Sequence, residues 1–335
     1  MNPSRKILVV RRDNIGDLVC TTPLIDTLRQ RFPEAWIGAL VNSYNAPVLQ
    51  GNGALDEVFT YTKLKHRDAG TSALAALGRR LAMIWRLRRM GIDDLILAAP
   101  AHQASAERFC RWLKPLRVHR ADPGHGGHEV EHIMSALAGL GGAEAGGICR
   151  VFPDPLRLER LRQSLPPQWL VAGGPVVGIH ISARKPKQRW PIERFAAVMK
   201  LLHQQEGARF LLFWAPGAAS DPRHPGDDEK AQALLQAAAG LPVAPMATGE
   251  LADLIAGLSL ADRLLCSDGG AMHLAAGLGK PMVCLFGNSD LVRWHPWGVP
   301  YEVLQPPSQD VADVTVEAFV AAYARLLARL PACSD

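Results

Sequence analysis

Lys6-Ile7-Leu8-Val9-Val10-Arg11-Arg12-Asp13-Asn14-Ile15-Gly16-Asp17-Leu18 decides how this chain is read. The apolar run Ile7 to Val10 has the look of a strand buried on both faces. A turn holding Gly16 and Asp17 follows it, then a helix-like segment from Pro23 to Arg31. Strand, Gly/Asp turn and helix is how α/β proteins build phosphate and substrate sites at strand ends. The device returns near the other end, where Leu264-Leu265 lead into Cys266-Ser267-Asp268-Gly269-Gly270-Ala271-Met272-His273. Two copies so far apart predict two sheets facing a shared cleft.

Working outward, the first half alternates strand-like and helix-like segments. Strands are expected at Lys6 to Val10, Trp36 to Val41, Glu57 to Tyr61, Asp94 to Ala98 and Arg117 to His119. Helices are expected at Pro23 to Arg31, Ser72 to Met90, Ala104 to Leu113 and Glu129 to Leu140. In the helix from Ser72, the residues Leu74, Leu77, Leu81 and Ile84 fall at helical spacing and form an apolar stripe. Alternation of this kind predicts a parallel sheet covered on both faces. Proline and glycine accumulate from Arg150 to Pro175, which marks a domain boundary with a short helix near Leu156 to Ser164. The second half restarts with strands at Val176 to Ile181, Phe210 to Trp214, Arg263 to Cys266, Met282 to Phe286 and Tyr301 to Leu304. Its helices are expected at Pro191 to Gln205, Asp228 to Ala239, Leu251 to Leu258 and Ala271 to Leu278, with a last one from Val316 to Leu330. The domains expected are 1–165 and 175–312, with a C-terminal helix in 313–335.

The bulk properties fit that plan. A chain of 335 residues is comfortable for two domains, and 48% hydrophobic with 21% charged residues describes a globular chain. The net charge of +5 suits an anionic partner without choosing among nucleic acid, nucleotide diphosphate and anionic lipid. The six cysteines are scattered and none forms a C-x-x-C pair, so reduced thiols are expected. Lys6 is followed by only four strongly apolar residues before Arg11, too short a core for a signal peptide, and no stretch reaches the length of a spanning helix. The expected location is the cytoplasm, with any membrane contact peripheral.

Several segments carry candidate chemistry. Asp17 stands where a carboxylate can serve as acid or base at the end of the first strand; capping of the helix is the competing use, and Asp13 is a rival carboxylate. The basic run Arg184, Lys185, Lys187, Arg189, ahead of Trp190-Pro191, suits an anion, since a diphosphate needs N–H donors and cations; a solvated basic loop is the plainer reading. Asp268-Gly269-Gly270 with His273 offers an acceptor for hydroxyls and a helix start for a phosphate. Three spaced glycines are missing after the first strand, which argues against a nicotinamide enzyme. His128-Glu129-Val130-Glu131-His132 matches H-E-x-x-H, a zinc pattern, but it starts straight after Gly126-Gly127 and lacks a clear third ligand, so no metal is expected. Positive charge on Lys63, Lys65, His66, Arg67, Arg79, Arg80, Arg86, Arg88 and Arg89 is either a solvated face or a surface for a phosphorylated, membrane-held molecule.

Taken together, these motifs resemble glycosyltransferase family 9, the group that contains the ADP-heptose:lipopolysaccharide heptosyltransferases. The residues that carry the resemblance are Ile7 to Val10 with Asn14-Ile15-Gly16-Asp17 and Thr22-Pro23-Leu24, Leu55-Asp56-Glu57-Val58 and Arg189-Trp190-Pro191. Ser267-Asp268-Gly269-Gly270 with His273, and Leu285-Phe286-Gly287 ahead of Arg293-Trp294, complete it. The resemblance implies a GT-B fold of two Rossmann-like doubly wound domains facing a central cleft, and an inverting transfer with no metal or other cofactor. It implies ADP-L-glycero-D-manno-heptose as donor and a lipid-anchored lipopolysaccharide core oligosaccharide of a Gram-negative cell as acceptor. The place is the cytoplasmic side of the inner membrane, with no nucleic acid partner. Asp17 is then the general base. Ser182, Lys187, Gln188, Arg189, Asp268, Gly269, Gly270 and His273 fall on the donor side, and Asn14, Gly16, Lys63, His102 and His128 on the acceptor side. Gln188 stands where the family commonly has lysine, and Asp268-Gly269-Gly270 replaces Asp-Thr-Gly. A family transferase using another nucleotide sugar, or a nucleotide-sugar-binding protein of low activity, are the alternatives.

Overall fold

The computed structural model describes residues 4–61, 73–98, 104–142, 146–171, 173–221 and 225–331. The chain divides into two compact units, Met1–Val151 and Phe152–Asp335. The first unit runs β1 (Lys6–Val10), α1 (Ile15–Val19), α2 (Thr22–Arg31), β2 (Trp36–Asn42), β3 (Glu57–Tyr61), α3 (Ala73–Met90), β4 (Asp94–Leu97), α4 (Ala104–Leu113), β5 (Arg117–Arg120) and α5 (Glu129–Met134). Its strands are all parallel in the order β3-β2-β1-β4-β5. β1 lies mid-sheet, and Ile7, Leu8, Val9 and Val10 are at most 1% exposed. Each such side chain stabilises the unit by about 1.5–3 kcal/mol, which is why so short an apolar run holds a strand.

The second unit runs α6 (Pro155–Ser164), α7 (Pro167–Val171), β6 (Val176–His180), α8 (Ile192–Glu206), β7 (Arg209–Trp214), α9 (Asp228–Ala237), β8 (Val243–Ala247) and α10 (Leu251–Ser259). It continues with β9 (Arg263–Ser267), α11 (Gly270–Gly277), β10 (Met282–Leu285), α12 (Leu291–Trp294), β11 (Tyr301–Leu304) and α13 (Val316–Arg329). Its sheet, also parallel, has the order β11-β10-β9-β6-β7-β8. Trp190 anchors the core beside it: the ring stacks on Phe319, meets Phe195 edge-on, and its Nε1 donates to the Val314 carbonyl at 2.9 Å.

Four points depart from the sequence reading. The unit boundary falls at Val151, ahead of 165, because α6 packs on α10 and Arg157 pairs with Glu250 and Asp253. The C-terminal helix, α13, belongs to the second unit and lies against β10, β11 and α8. Strand β8 was not expected, since Pro245 interrupts its pattern; the strand is at the sheet edge, where a missing N–H is tolerated. The stripe on α3 is turned: Leu77 and Leu81 are more than half exposed, while Met83, Ile84, Leu87 and Met90 face the core.

Strand order in each sheet reverses once, between β1 and β4 and between β6 and β9. In doubly wound sheets ligands bind outside the carboxyl ends of the strands at that reversal. Both Gly/Asp motifs follow strands that border a reversal.

Candidate functional site

In the first unit the chain leaves β1 through a loop pinned from β2 and beyond. The Asn42 side-chain amide donates to the carbonyls of Arg12 and Asp13 at 2.6 and 3.1 Å, and that of Asn45 donates to Asp13 at 3.2 Å. Asn14 is extended and α1 begins after it. Gly16 makes no turn: it lies inside α1, buried, without a positive φ. Asp17 sits at the third position of α1, and one carboxylate oxygen accepts from the Asn14 backbone N–H at 3.0 Å and its side-chain amide at 3.1 Å. Asp17 is therefore part of a capping arrangement, as the bland reading had it. Its other oxygen does something else.

That oxygen accepts from Nη2 of Arg11 at 2.5 Å. Arg11 is 1% exposed, and the same Nη2 donates to Oε1 of Glu129 on α5 at 2.8 Å. Asp13 approaches Arg11 Nε at 3.1 Å. Burial works against the Arg11 charge, but Asp17, Glu129 and Asp13 more than restore it, and the guanidinium stays protonated. Three carboxylates thus share one buried cation at the strand-order reversal. Arg12 is buried too, with its guanidinium over the rings of Tyr61 and Phe109 at 4.1 and 4.5 Å.

The residues of the H-E-x-x-H pattern have other partners in this cluster. His128 is 2% exposed and its Nδ1 accepts from the Val130 amide, capping α5. Glu129 turns to Arg11, and His132 lies 3.6 Å from Glu129. Among the described residues no group of three or more His, Cys, Asp or Glu side chains is arranged to hold a metal ion. Lys63 and His102 lie outside the described residues.

In the second unit the loops after β6 and β9 meet. Gln188 is 5% exposed, and its Nε2 donates to Oδ2 of Asp268 at 2.7 Å and to the Ser289 hydroxyl at 3.0 Å. Ser289 in turn donates to the same Asp268 oxygen at 2.5 Å. A side chain at position 287, on the loop after β10, would put its Cβ 2.4 Å from the Lys187 carbonyl oxygen, so glycine there lets that loop close on the loop after β6. Ser182 accepts from the Ala215 amide at 2.9 Å. Arg189 braces the basic loop by donating to the Ala183 carbonyl at 3.0 Å, whereas Arg184, Lys185 and Lys187 are exposed. Gly269 and Gly270 start α11, and His273, buried on its first turn, packs edge-on against Trp294. At the end of β6, burial pushes the His180 imidazole down to about 4 against the opposing pull of Asp227, so it adds no charge to the loop at neutral pH. The region offers an oriented carboxylate, N–H groups at a helix start and exposed cations, which together suit a sugar and a diphosphate.

Of the expected residues, the structure brings Asn14, Gly16 and Asp17 together in one unit, and Ser182, Gln188, Asp268, Gly269, Gly270 and His273 around the reversal in the other. Arg11, Glu129 and Ser289 were not foreseen. Arg11-Arg12 entered the sequence reading only as the end of the first apolar run, and Glu129 only in a metal motif and at a helix start; nothing local announces that they meet.

Comparison with known proteins bears on the family and the fold. Residues 96–319 match the family described as Glycosyltransferase family 9 (heptosyltransferase). The chain is 27% identical to lipopolysaccharide heptosyltransferase 3 of Escherichia coli K12 over 310 residues, covering 84% of this chain and 82% of the relative. It superposes on the family 9 glycosyltransferase of Veillonella parvula with a TM-score of 0.79 at 19% identity, covering 98% of this chain and 99% of that one. For E. coli heptosyltransferase WaaC with ADP the TM-score is 0.75 at 19% identity, covering 96% and 99%. Two Rossmann-like units of the GT-B class are common to this chain and to both solved structures.

Proposed function

The chain belongs to glycosyltransferase family 9, and from that premise we propose that it moves a heptose from ADP-L-glycero-D-manno-heptose to a lipopolysaccharide core acceptor, with inversion and without a metal. Glycosyl transfer is the shared chemistry of the family. The choice of heptose rests on heptosyltransferase relatives and on a structural neighbour solved with ADP.

In this scheme an acceptor hydroxyl attacks the anomeric carbon, the bond to the ADP oxygen breaks, and Asp17 takes the hydroxyl proton. The single observation that carries it is the Asp17 carboxylate, held by Arg11 and Asn14 beside the reversal of the first sheet. A carboxylate is a weak base, so it removes the proton late, once the new bond has begun to form. Asp268 receives sugar hydroxyls. The start of α11 and the exposed Arg184, Lys185 and Lys187 absorb the charge of the leaving diphosphate, which is the work a metal does elsewhere.

The acceptor is lipid-anchored, and α3 supplies a surface for its membrane. Leu77, Leu81 and Trp85 lie exposed along one side of this helix, Arg88 and Arg89 are exposed beside them, and the helix has no acidic residue. Apolar side chains next to cations suit an anionic leaflet at its inner face. Among the described residues no helix is long and apolar enough to cross a membrane.

The test is a panel of nucleotide sugars, each assayed with truncated core acceptors presented in anionic vesicles. ADP release with ADP-heptose only in the presence of acceptor, and protein sedimenting with the vesicles, is the expected result. Turnover with a different donor replaces the heptose reading, and binding without ADP release makes the chain a nucleotide-sugar-binding protein.

A further inference from the structure

Glu129 has no place in the scheme above, yet it is one of the most deeply buried carboxylates described, 1% exposed. We infer that Glu129 is a positioning residue that divides the charge of Arg11 and thereby keeps Asp17 basic enough to take the acceptor proton. The inference rests on Asp17 being the base.

The geometry is specific. One nitrogen, Nη2 of Arg11, donates at once to Oδ1 of Asp17 at 2.5 Å and to Oε1 of Glu129 at 2.8 Å. A guanidinium serving a single carboxylate holds its negative charge strongly and removes its appetite for a proton. With a second carboxylate on the same nitrogen the attraction is shared, and the two negative charges also repel through a poorly screened interior. Both effects favour a proton on the carboxylate that the acceptor can reach, Asp17, which keeps 11% of its side chain exposed against 1% for Glu129. Orientation is preserved meanwhile, because the other Asp17 oxygen is held by Asn14. Among the described residues, the other titratable or charged groups at this cluster are Asp13 on the loop after β1, His132, 3.6 Å from Glu129 on α5, and the buried His128, whose Nδ1 accepts from the Val130 amide. Arg12 from the same loop turns away onto Tyr61 and Phe109.

The experiment measures kcat/KM against pH for the full chain and for Glu129→Gln, Glu129→Asp and Asp17→Asn, with ADP affinity as a check on the second unit. Glu129→Gln keeps the shape but removes the carboxylate that shares Nη2 of Arg11 with Asp17, leaving only Asp13 as competitor. Its plateau falls about 3- to 10-fold, as a weaker base demands. Its acid limb moves down by about one pH unit, since the carboxylate now protonates only in more acid solution. Glu129→Asp, charged but shorter, falls between Gln and wild type. ADP affinity does not change. An acid limb that stays in place in Glu129→Gln, whatever the loss of rate, overturns the inference and leaves Glu129 structural. If Glu129→Gln does not fold, an unmoved limb in Glu129→Asp has the same force. Failure of the underlying reading looks different: Asp17→Asn would then remain active.

Discussion

The two sheets reverse their strand order in the same way and each places an aspartate beside the reversal, but they hold it by opposite means. Asp17 is 8% exposed and bound to a buried guanidinium that two more carboxylates also approach. Asp268 is half-buried, and among the described residues its side chain is held by neutral donors, the Gln188 amide and the Ser289 hydroxyl. A charge-held carboxylate has a proton affinity that its neighbours can adjust. A carboxylate held by neutral groups on one oxygen keeps its charge for the ligand and its other oxygen for hydroxyl donors. The first arrangement suits proton transfer, the second suits binding.

That contrast can be broken at three points. Asp17→Asn should lower kcat by at least about a hundredfold while ADP affinity stays within roughly twofold, because a positioned base contributes about 10²–10⁴. Retained turnover in steady-state assays would make Asp17 a cap only. Asp268→Ala should weaken donor-sugar affinity by about tenfold or more, as expected for hydrogen bonds to a charged group, with kcat much less affected; calorimetry with the intact donor and with ADP alone checks whether the loss lies with the sugar. The smallest effect is expected for Gln188→Lys, which puts a cation where the family commonly has one. ADP should bind about two- to fivefold more tightly at low salt, the advantage fading as salt rises. An unchanged ADP affinity at low salt would place position 188 outside the reach of the diphosphate.

Much of the fold was legible in the chain. β1, β3, α4 and β11 fall where the sequence put them, since buried parallel strands and their covering helices write themselves as short apolar runs and helical spacing. The failures have three causes. α1 is five residues long, too short to show a period, though Asn14 and Asp17 have capping spacing. β8 hides behind Pro245 because an edge position relaxes the rule against proline. On α3 the periodicity was present but its phase was not, and Leu77 and Leu81 point outwards.

Taken alone, the order of residues determined most of the segments that become strands and helices, that two parallel sheets form, and that Asp17 and Asp268 follow strands in Gly/Asp motifs. Those outcomes depend on hydrogen bonding and burial within a few residues of each position, so they can be read locally. Only the tertiary structure decided that Arg11 is a buried counterion, that Glu129 on α5 shares its nitrogen with Asp17, and that Gln188 rests on Asp268. Glu129 lies 118 residues from Arg11, and Asp268 lies 80 residues from Gln188. Burying a charge or an amide is stable only when such a partner arrives, and nothing in the neighbouring residues says which one will.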